Sequence, residues 1–197
     1  MSYINLILAS ASPRRREILS TLGIPFTVMT AETDEACELS QPGARVEEIS
    51  KRKCLAVQAL LQKNNRITED TLILASDTLV TLDGIFLGKP ADHEDARRMV
   101  NMLSGRGHTV ASGIALWYRG KIVTAHELTT VHFAPMSRQE IDCYVATEEP
   151  MGKAGAYAIQ GNASRYITGI EGDYFNVVGL PVRRLYTTLK EAFNITL

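Results

Sequence analysis

Apolar and polar positions follow two periods along this chain, and the switches between them outline its elements. Leu6 to Ala9 is a short unbroken apolar run, the pattern of a buried strand, and Ser10-Ala11-Ser12-Pro13 ends it. Ser12 before Pro13 reads as a helix start, with the serine as N-cap and the proline in the first helical position. That helix runs through Ile18, Leu19 and Leu22 to Gly23. Pro25 to Met29 predicts a second strand, followed by the acidic turn Glu32-Thr33-Asp34-Glu35. A longer helix covers Arg45 to Gln62. Leu72 to Ser76 is a buried strand continuing through Leu79 to Leu82, and Asp83-Gly84 turns it into a hairpin returning over Ile85 to Leu87.

Asp92, with Asp95 three residues on, caps a helix to Leu103 that stops near Gly105. Thr109 to Tyr118, the Arg119-Gly120 turn and Lys121 to Phe133 predict a longer hairpin. Ser137 and Glu140 form a capping box for a helix through Tyr144. The glycine-rich stretch from Gly152 to Gly179 predicts short strands, and a last helix starts at Pro181. Strands and helices that alternate and then give way to hairpins imply a mixed α/β sheet with a cleft between two lobes.

Composition narrows the function classes. The 197 residues, 45% hydrophobic and 22% charged, suit a soluble protein of one compact domain or two closely packed lobes with a real core. With 21 basic against 22 acidic residues there is no net basic field, which argues against nucleic acid or a membrane surface as partner. No apolar run approaches the roughly 20 residues of a membrane span, and the apolar start is too short for a signal peptide. Cys37, Cys54 and Cys143 show neither metal nor redox spacing, which predicts passive thiols in a reducing cytoplasm. The triplets at Asn162 and Asn194 then read as accidental glycosylation matches.

Four local signals carry chemistry. Ser10-Ala11-Ser12-Pro13-Arg14-Arg15-Arg16 joins a buried strand to a helix N-terminus, where free N–H groups and the helix dipole favour an anion. Three arginines there oppose the dipole, so they serve either a bound phosphate or a solvated basic helix end. Lys53 falls at the centre of the helical arc of Val46, Ile49, Ala56, Val57 and Leu60, and must find a partner or snorkel out. Asp77 interrupts the apolar run from Leu72 to Val80, where a carboxylate is hydrogen-bonded, binds metal or acts as a base. Gly88-Lys89-Pro90 and the segment from Lys153 to Gly161 combine small residues with the donors Lys89, Lys153 and Gln160, as either ligand loops or plain loops. His93, His108, His126 and His132 show no metal spacing and read as surface or structural, and neither a Walker loop nor a dinucleotide fingerprint is present.

Taken in order, these pieces resemble the Maf family of septum-formation-inhibitor-like nucleotide pyrophosphatases. The matching residues are Ala9 to Arg15, Lys53, Ser76-Asp77-Thr78, Gly88-Lys89-Pro90, Leu103-Ser104-Gly105-Arg106, Lys153 to Gly161, and Gly172-Asp173-Tyr174 through Gly179-Leu180-Pro181. The resemblance implies one domain over residues 1–197 with a fold related to the inosine-triphosphate pyrophosphatases, a mixed sheet with two lobes flanking a deep cleft. It implies hydrolysis of a nucleoside triphosphate to the monophosphate and pyrophosphate, with a divalent cation, Mg²⁺ or Mn²⁺, as cofactor. By the same analogy Asp77 is the proton acceptor. Arg15, Lys53 and Lys89 hold the triphosphate along with Ser10 and Ser12, and Glu35 joins Asp77 near the metal.

Within the family, the branch acting on dTTP and UTP typically has Arg, Thr and Gln where this chain has Arg14, Thr78 and Gln160. A branch acting on 7-methyl-GTP typically carries Trp, Gln and Glu there, which suits a cationic base. The chain sides with the pyrimidine branch, and clearing modified pyrimidine nucleotides is a role in keeping with it. Ser76, where that branch more often has alanine, is a departure, as are Gly152 and Asn162. The alternatives are a 7-methyl-GTP pyrophosphatase of the same family and a non-catalytic nucleotide-binding regulator of cell division. The expected partner is a small nucleotide rather than nucleic acid or membrane, in a cytoplasmic protein compatible with a homodimer.

Overall fold

A computed structural model describes residues 4–196; residues 1–3 and 197, the ends of the expected domain, lie outside the described residues. Among the described residues seven strands and six α-helices follow the predicted order, apart from α5, which falls where short strands are predicted. β1 (Asn5–Leu8), α1 (Pro13–Thr21), β2 (Thr27–Val28), α2 (Pro42–Lys63), β3 (Thr71–Leu82), β4 (Ile85–Leu87) and α3 (His93–Leu103) come first. β5 (Gly107–Tyr118), β6 (Lys121–Phe133), α4 (Arg138–Val145), β7 (Ile167–Glu171), α5 (Tyr174–Val178) and α6 (Val182–Phe193) complete the chain. The strands form one mixed sheet in the order β2-β1-β3-β5-β6-β7, with β4 on β3. β1 runs parallel to β2 and β3, whereas β3–β4 and β6–β7 are antiparallel.

Local chemistry accounts for the boundaries. Asp83 (φ 51) and Gly84 (φ 80) both take the left-handed backbone that a tight two-residue hairpin turn demands. The side chain of Asp92 accepts from the Asp95 N–H at the start of α3, and Ser137 with Glu140 closes the capping box of α4 in both directions. Ser12 does precede α1, but its side chain makes no capping bond. The glycine-rich stretch departs from expectation. It holds one strand, β7, with the short helix α5 and two 3₁₀ turns at Ala154–Ala156 and Asn162–Tyr166, because small residues without alternation cannot present a period-two apolar face.

The chain divides into two compact units, each assembled from separated segments. The first comprises 4–77, Ser112–Glu127 and 179–196. Its core packs Ile7 and Ala9 of the first strand segment and Ile73 and Ala75 of β3 with Cys54, Val57 and Leu61 of α2. The alternate residues Leu6, Leu8, Leu72 and Leu74 are also buried, so both faces of these strands are covered, as parallel strands require. The second unit comprises Thr78–Ala111 and Leu128–Val178. Its core joins Val80, Leu82 and Leu87 to α3, α4 and the aromatic rings of Phe133, Tyr144 and Tyr157.

Candidate active site

The first unit gathers charge at the mouth of α1. Ser10, buried at the end of β1, accepts from the Ser12 N–H (3.3 Å) and from Arg15 Nη1 (2.9 Å). Arg15 Nε donates to the carbonyl of Gly179 (2.8 Å). With 9% of its surface exposed, Arg15 is an interior cation. Burial lowers its pKa to about 10, with Asp77 raising it, Arg14 lowering it and Glu35 raising it, so the guanidinium keeps its charge at neutral pH. Arg14 is half-buried and its pKa is lowered by burial alone, while Arg16 is exposed. The three adjacent arginines therefore differ. Arg16 fits the solvated helix end, and Arg15 does not.

Strand β3 delivers Asp77 to the same region. Its Oδ1 accepts from Lys53 Nζ at 2.7 Å, and the same ammonium meets Glu35 Oε1 at 2.7 Å. The side chains of Lys53 and Asp77 are 19% and 14% exposed, against 59% for Glu35, so the pair is mostly withdrawn from water with one carboxylate at the rim. Lys53 does not snorkel; it reaches partners. Its predicted setting needs one correction. The buried stripe of α2 runs through Gly43, Val46, Ile49, Ser50, Cys54, Val57 and Leu61, while Leu60 is exposed, so Lys53 stands toward the border of the stripe. A lysine at the border can extend along the core to a carboxylate, which one at the centre could not do without displacing packed side chains.

Glu35 is brought in by its neighbours. Asp34 Oδ1 accepts from the Ala36 N–H (2.8 Å), an Asx turn, and Arg52 Nη1 grips the Ala36 carbonyl (2.6 Å) while its Nε pairs with Glu48 (2.8 Å). Ser76, wholly buried beside Asp77, donates to the Gly179 carbonyl (3.2 Å). One carbonyl thus receives both Arg15 and Ser76, joining α1, β3 and the approach to α6. Sequence reasoning missed Gly179 as a site group. Its position lies in the quoted Gly-Leu-Pro motif, but a backbone acceptor leaves no trace in the side-chain pattern.

Glu35 and Asp77 offer carboxylate oxygens of the hard kind that Mg²⁺ and Mn²⁺ take, and here each stands 2.7 Å from the Lys53 ammonium between them. Among the described residues no group of three or more His, Cys, Asp or Glu side chains could hold a metal ion. Phosphate oxygens and water would have to complete the shell, as is usual for Mg²⁺ on a nucleotide.

Three further predicted residues belong to the second unit. Thr78 follows Asp77 on β3 and is half-buried; Lys89 and Gln160 are exposed. The segments of the last two are joined there, because the Gly155 N–H donates to the Gly88 carbonyl (3.0 Å). Gln160 is the third residue of a turn closed by the Gly161 N–H on the Ala158 carbonyl (3.1 Å). Lys153 Nζ bonds the Glu149 carbonyl. The histidines keep their structural reading. His93, His126 and His132 each pair with a glutamate, and His108 is buried against Tyr157. Cys54, buried on α2, has its thiol pushed up to about 12 by burial, as a passive cysteine should. Among the described residues no helix is long and apolar enough to cross a membrane.

Comparison with known proteins adds what geometry alone does not carry. A sequence model of the family described as Maf-like protein matches residues 5–192. A protein of Symbiobacterium thermophilum is 48% identical over 187 residues, which cover 94% of this chain and 93% of that protein. A protein of Pelotomaculum thermopropionicum is 48% identical over 189 residues, 94% of this chain and 95% of its own. One of Alkaliphilus oremlandii is 45% identical over 196 residues, 98% of both. All three relatives bear the name dTTP/UTP pyrophosphatase.

Proposed function

The chain belongs to the Maf family, and from that premise we propose that it hydrolyses dTTP and UTP to the monophosphate and pyrophosphate. The observation that carries the chemistry is the Lys53 ammonium held between Asp77 and Glu35, with the buried Arg15 cation close enough for both carboxylates to act on it. Together these groups offer a proton acceptor and fixed positive charge in one place.

In the proposed reaction a water oxygen attacks the α-phosphorus while Asp77 takes the water proton. The bond from the α-phosphorus to its bridging oxygen breaks, and that oxygen leaves with the electron pair as part of pyrophosphate. Arg15, Lys53 and Lys89 neutralise the charge gathering on the phosphate oxygens, the preorganised electrostatic stabilisation that phosphoryl chemistry depends on. Ser10 and Ser12 line the same phosphate turn. Glu35 and Asp77 would hold Mg²⁺ or Mn²⁺, which would supply Lewis-acid charge to the triphosphate when bound.

Arg14, Thr78 and Gln160 are assigned to the base. Uracil and thymine present acceptor, donor and acceptor along one edge, which an amide and a hydroxyl match. The thymine methyl alters only apolar contact, so both nucleotides serve as substrates with modest preference. The test is a panel of dTTP, UTP and 7-methyl-GTP with Mg²⁺ and with Mn²⁺, products separated by chromatography. Monophosphate and pyrophosphate from the two pyrimidines are expected. A diphosphate as first product overturns the reaction, and preference for 7-methyl-GTP overturns the base assignment. No hydrolysis at all favours a binding protein.

A further inference from the structure

Glu149 belongs to none of the motifs above, yet both ends of the segment carrying Gln160 are tied to it. At one end its backbone carbonyl accepts from Lys153 Nζ. At the other its carboxylate takes up the next turn: Oε2 accepts from the Asn162 N–H (2.6 Å) and from Asn162 Nδ2 (3.0 Å), and Oε1 from the Ala163 N–H (3.2 Å). A fourth donor, the hydroxyl of buried Tyr144, reaches Oε1 at 3.0 Å and fixes the carboxylate to α4. Gly161 passes so near that a Cβ there would overlap the carboxylate oxygens. Burial opposes the charge on Glu149. The bonds from Asn162, Ala163 and Tyr144 outweigh it and hold the carboxyl below its ordinary pKa. A carboxylate with four donors is a rigid anchor, and Gln160 sits two residues from the nearest of them.

We propose that Glu149 is a positioning residue for base recognition, its carboxylate clamping the Lys153-to-Ala163 segment so that the Gln160 amide meets the pyrimidine edge in register. This rests on the assignment of Gln160 to the base made above. A recognition site built from hydrogen bonds loses discrimination when its donor is displaced, whereas Arg15 and Lys53, held on α1 and α2, are unaffected. The conservative variant Glu149→Gln disrupts the clamp without changing its size. Each oxygen accepts two bonds, and a carboxamide keeps only one oxygen. Whichever way the amide turns, a backbone N–H of Asn162 or Ala163 faces another N–H.

The experiment compares UTP as substrate with CTP as competitor, because cytosine replaces the uracil O4 acceptor with a donor while leaving the triphosphate unchanged. Glu149→Gln is expected to raise KM for UTP at least about tenfold with kcat within about threefold, and to leave the CTP inhibition constant within about threefold. Tyr144→Phe, which removes one donor and no volume to speak of, should move the UTP-to-CTP ratio in the same direction by about threefold. An unchanged KM for UTP in folded Glu149→Gln overturns the proposal. So does an equal rise for UTP and CTP, which marks a general structural effect. Where thermal melting finds Glu149→Gln unfolded, the same two outcomes are read from Tyr144→Phe, and an unchanged ratio there is equally fatal. A wild-type protein that releases no pyrophosphate from UTP overturns the underlying pyrophosphatase reading instead, before any variant is made.

Discussion

The two units treat buried polar groups in opposite ways. In the first, Arg15, Lys53 and Asp77 are withdrawn from water as ions, each held by a charged partner or a carbonyl. In the second, the fully buried titratable groups give up charge, while half-buried Glu149 keeps its own through four donors. His108, 3% exposed among Phe133 and Tyr157, has its pKa lowered to about 4 by burial and by the nearby His132, and its Nε2 shares a hydrogen bond with the Tyr157 hydroxyl (2.8 Å). Burial pushes the Tyr157 hydroxyl well above its ordinary range, and Tyr144 likewise, with Glu149 adding to the effect on Tyr144. Neutral groups of this kind bond neighbours and pack a core. Buried ions cost more than they return in stability unless something requires the charge, and a triphosphate does.

The largest effect expected lies in the first unit. Asp77→Asn should fold and bind nucleotide but lose about 10²- to 10⁴-fold in kcat, the range for removing a general base. Pyrophosphate release under saturating dTTP measures it, and near-normal turnover would end the base assignment and with it the reason for the contrast.

The second unit should answer to acid rather than to substrate. In the unfolded chain His108 takes a proton near 6.5, and in the folded protein only near 4. The unfolded state therefore binds the extra proton between these values. Stability from this group is complete above about pH 6.5 and is lost as pH falls toward about 4, by about 3 kcal/mol at most. Denaturation of wild type and His108→Gln across that interval isolates the contribution, since the variant keeps a donor toward Tyr157 and does not titrate. Parallel curves for the two proteins would show that His108 is not the neutral core group described.

Lys53→Met sharpens the comparison from the other side, keeping the stem in the stripe and deleting the ammonium. A fall in kcat/KM of at least about tenfold, or about 1.4 kcal/mol, is expected. Unchanged kinetics with altered stability would make the Asp77–Lys53–Glu35 group a structural ion pair. Smallest is Ser76→Ala. Gly179 keeps its bond from Arg15, so about 1 kcal/mol of stability and less than a twofold change in rate are expected by thermal melting and steady-state assay. A large rate loss would place Ser76 among the groups that touch substrate.

Much of the fold was legible in the chain, and for a shared reason. The hairpin at Asp83-Gly84, the cap at Asp92 and the capping box of Ser137 and Glu140 are each decided within four residues, by left-handed backbone or by a side chain reaching its own helix start. The unbroken apolar run placed Asp77 inside β3 just as reliably, because a carboxylate in such a run stands out wherever the strand goes. The stretch after Gly152 was misread where this logic has no purchase. Small residues take many conformations, and contacts with distant segments choose among them. Leu60 shows the same limit on a helix, since the wheel gives the arc but not the rotation at which α2 docks.

By itself, then, the sequence determined most of the elements and their order, the ordered motifs that mark the family, and the residues proposed to bind phosphate, take a proton and read a pyrimidine. Only the tertiary structure decided which of Arg14, Arg15 and Arg16 turns inward, and that Gly179, 164 residues from Arg15, supplies the carbonyl that receives it. It also decided that Lys53 ends between Asp77 and Glu35, and that Glu149 grips the turn beside Gln160. Periodicity and capping are local, fixed by backbone sterics over a few residues. Desolvation, ion pairing and the aim of a carbonyl depend on which distant segments share a volume, and that is settled only when the whole chain packs.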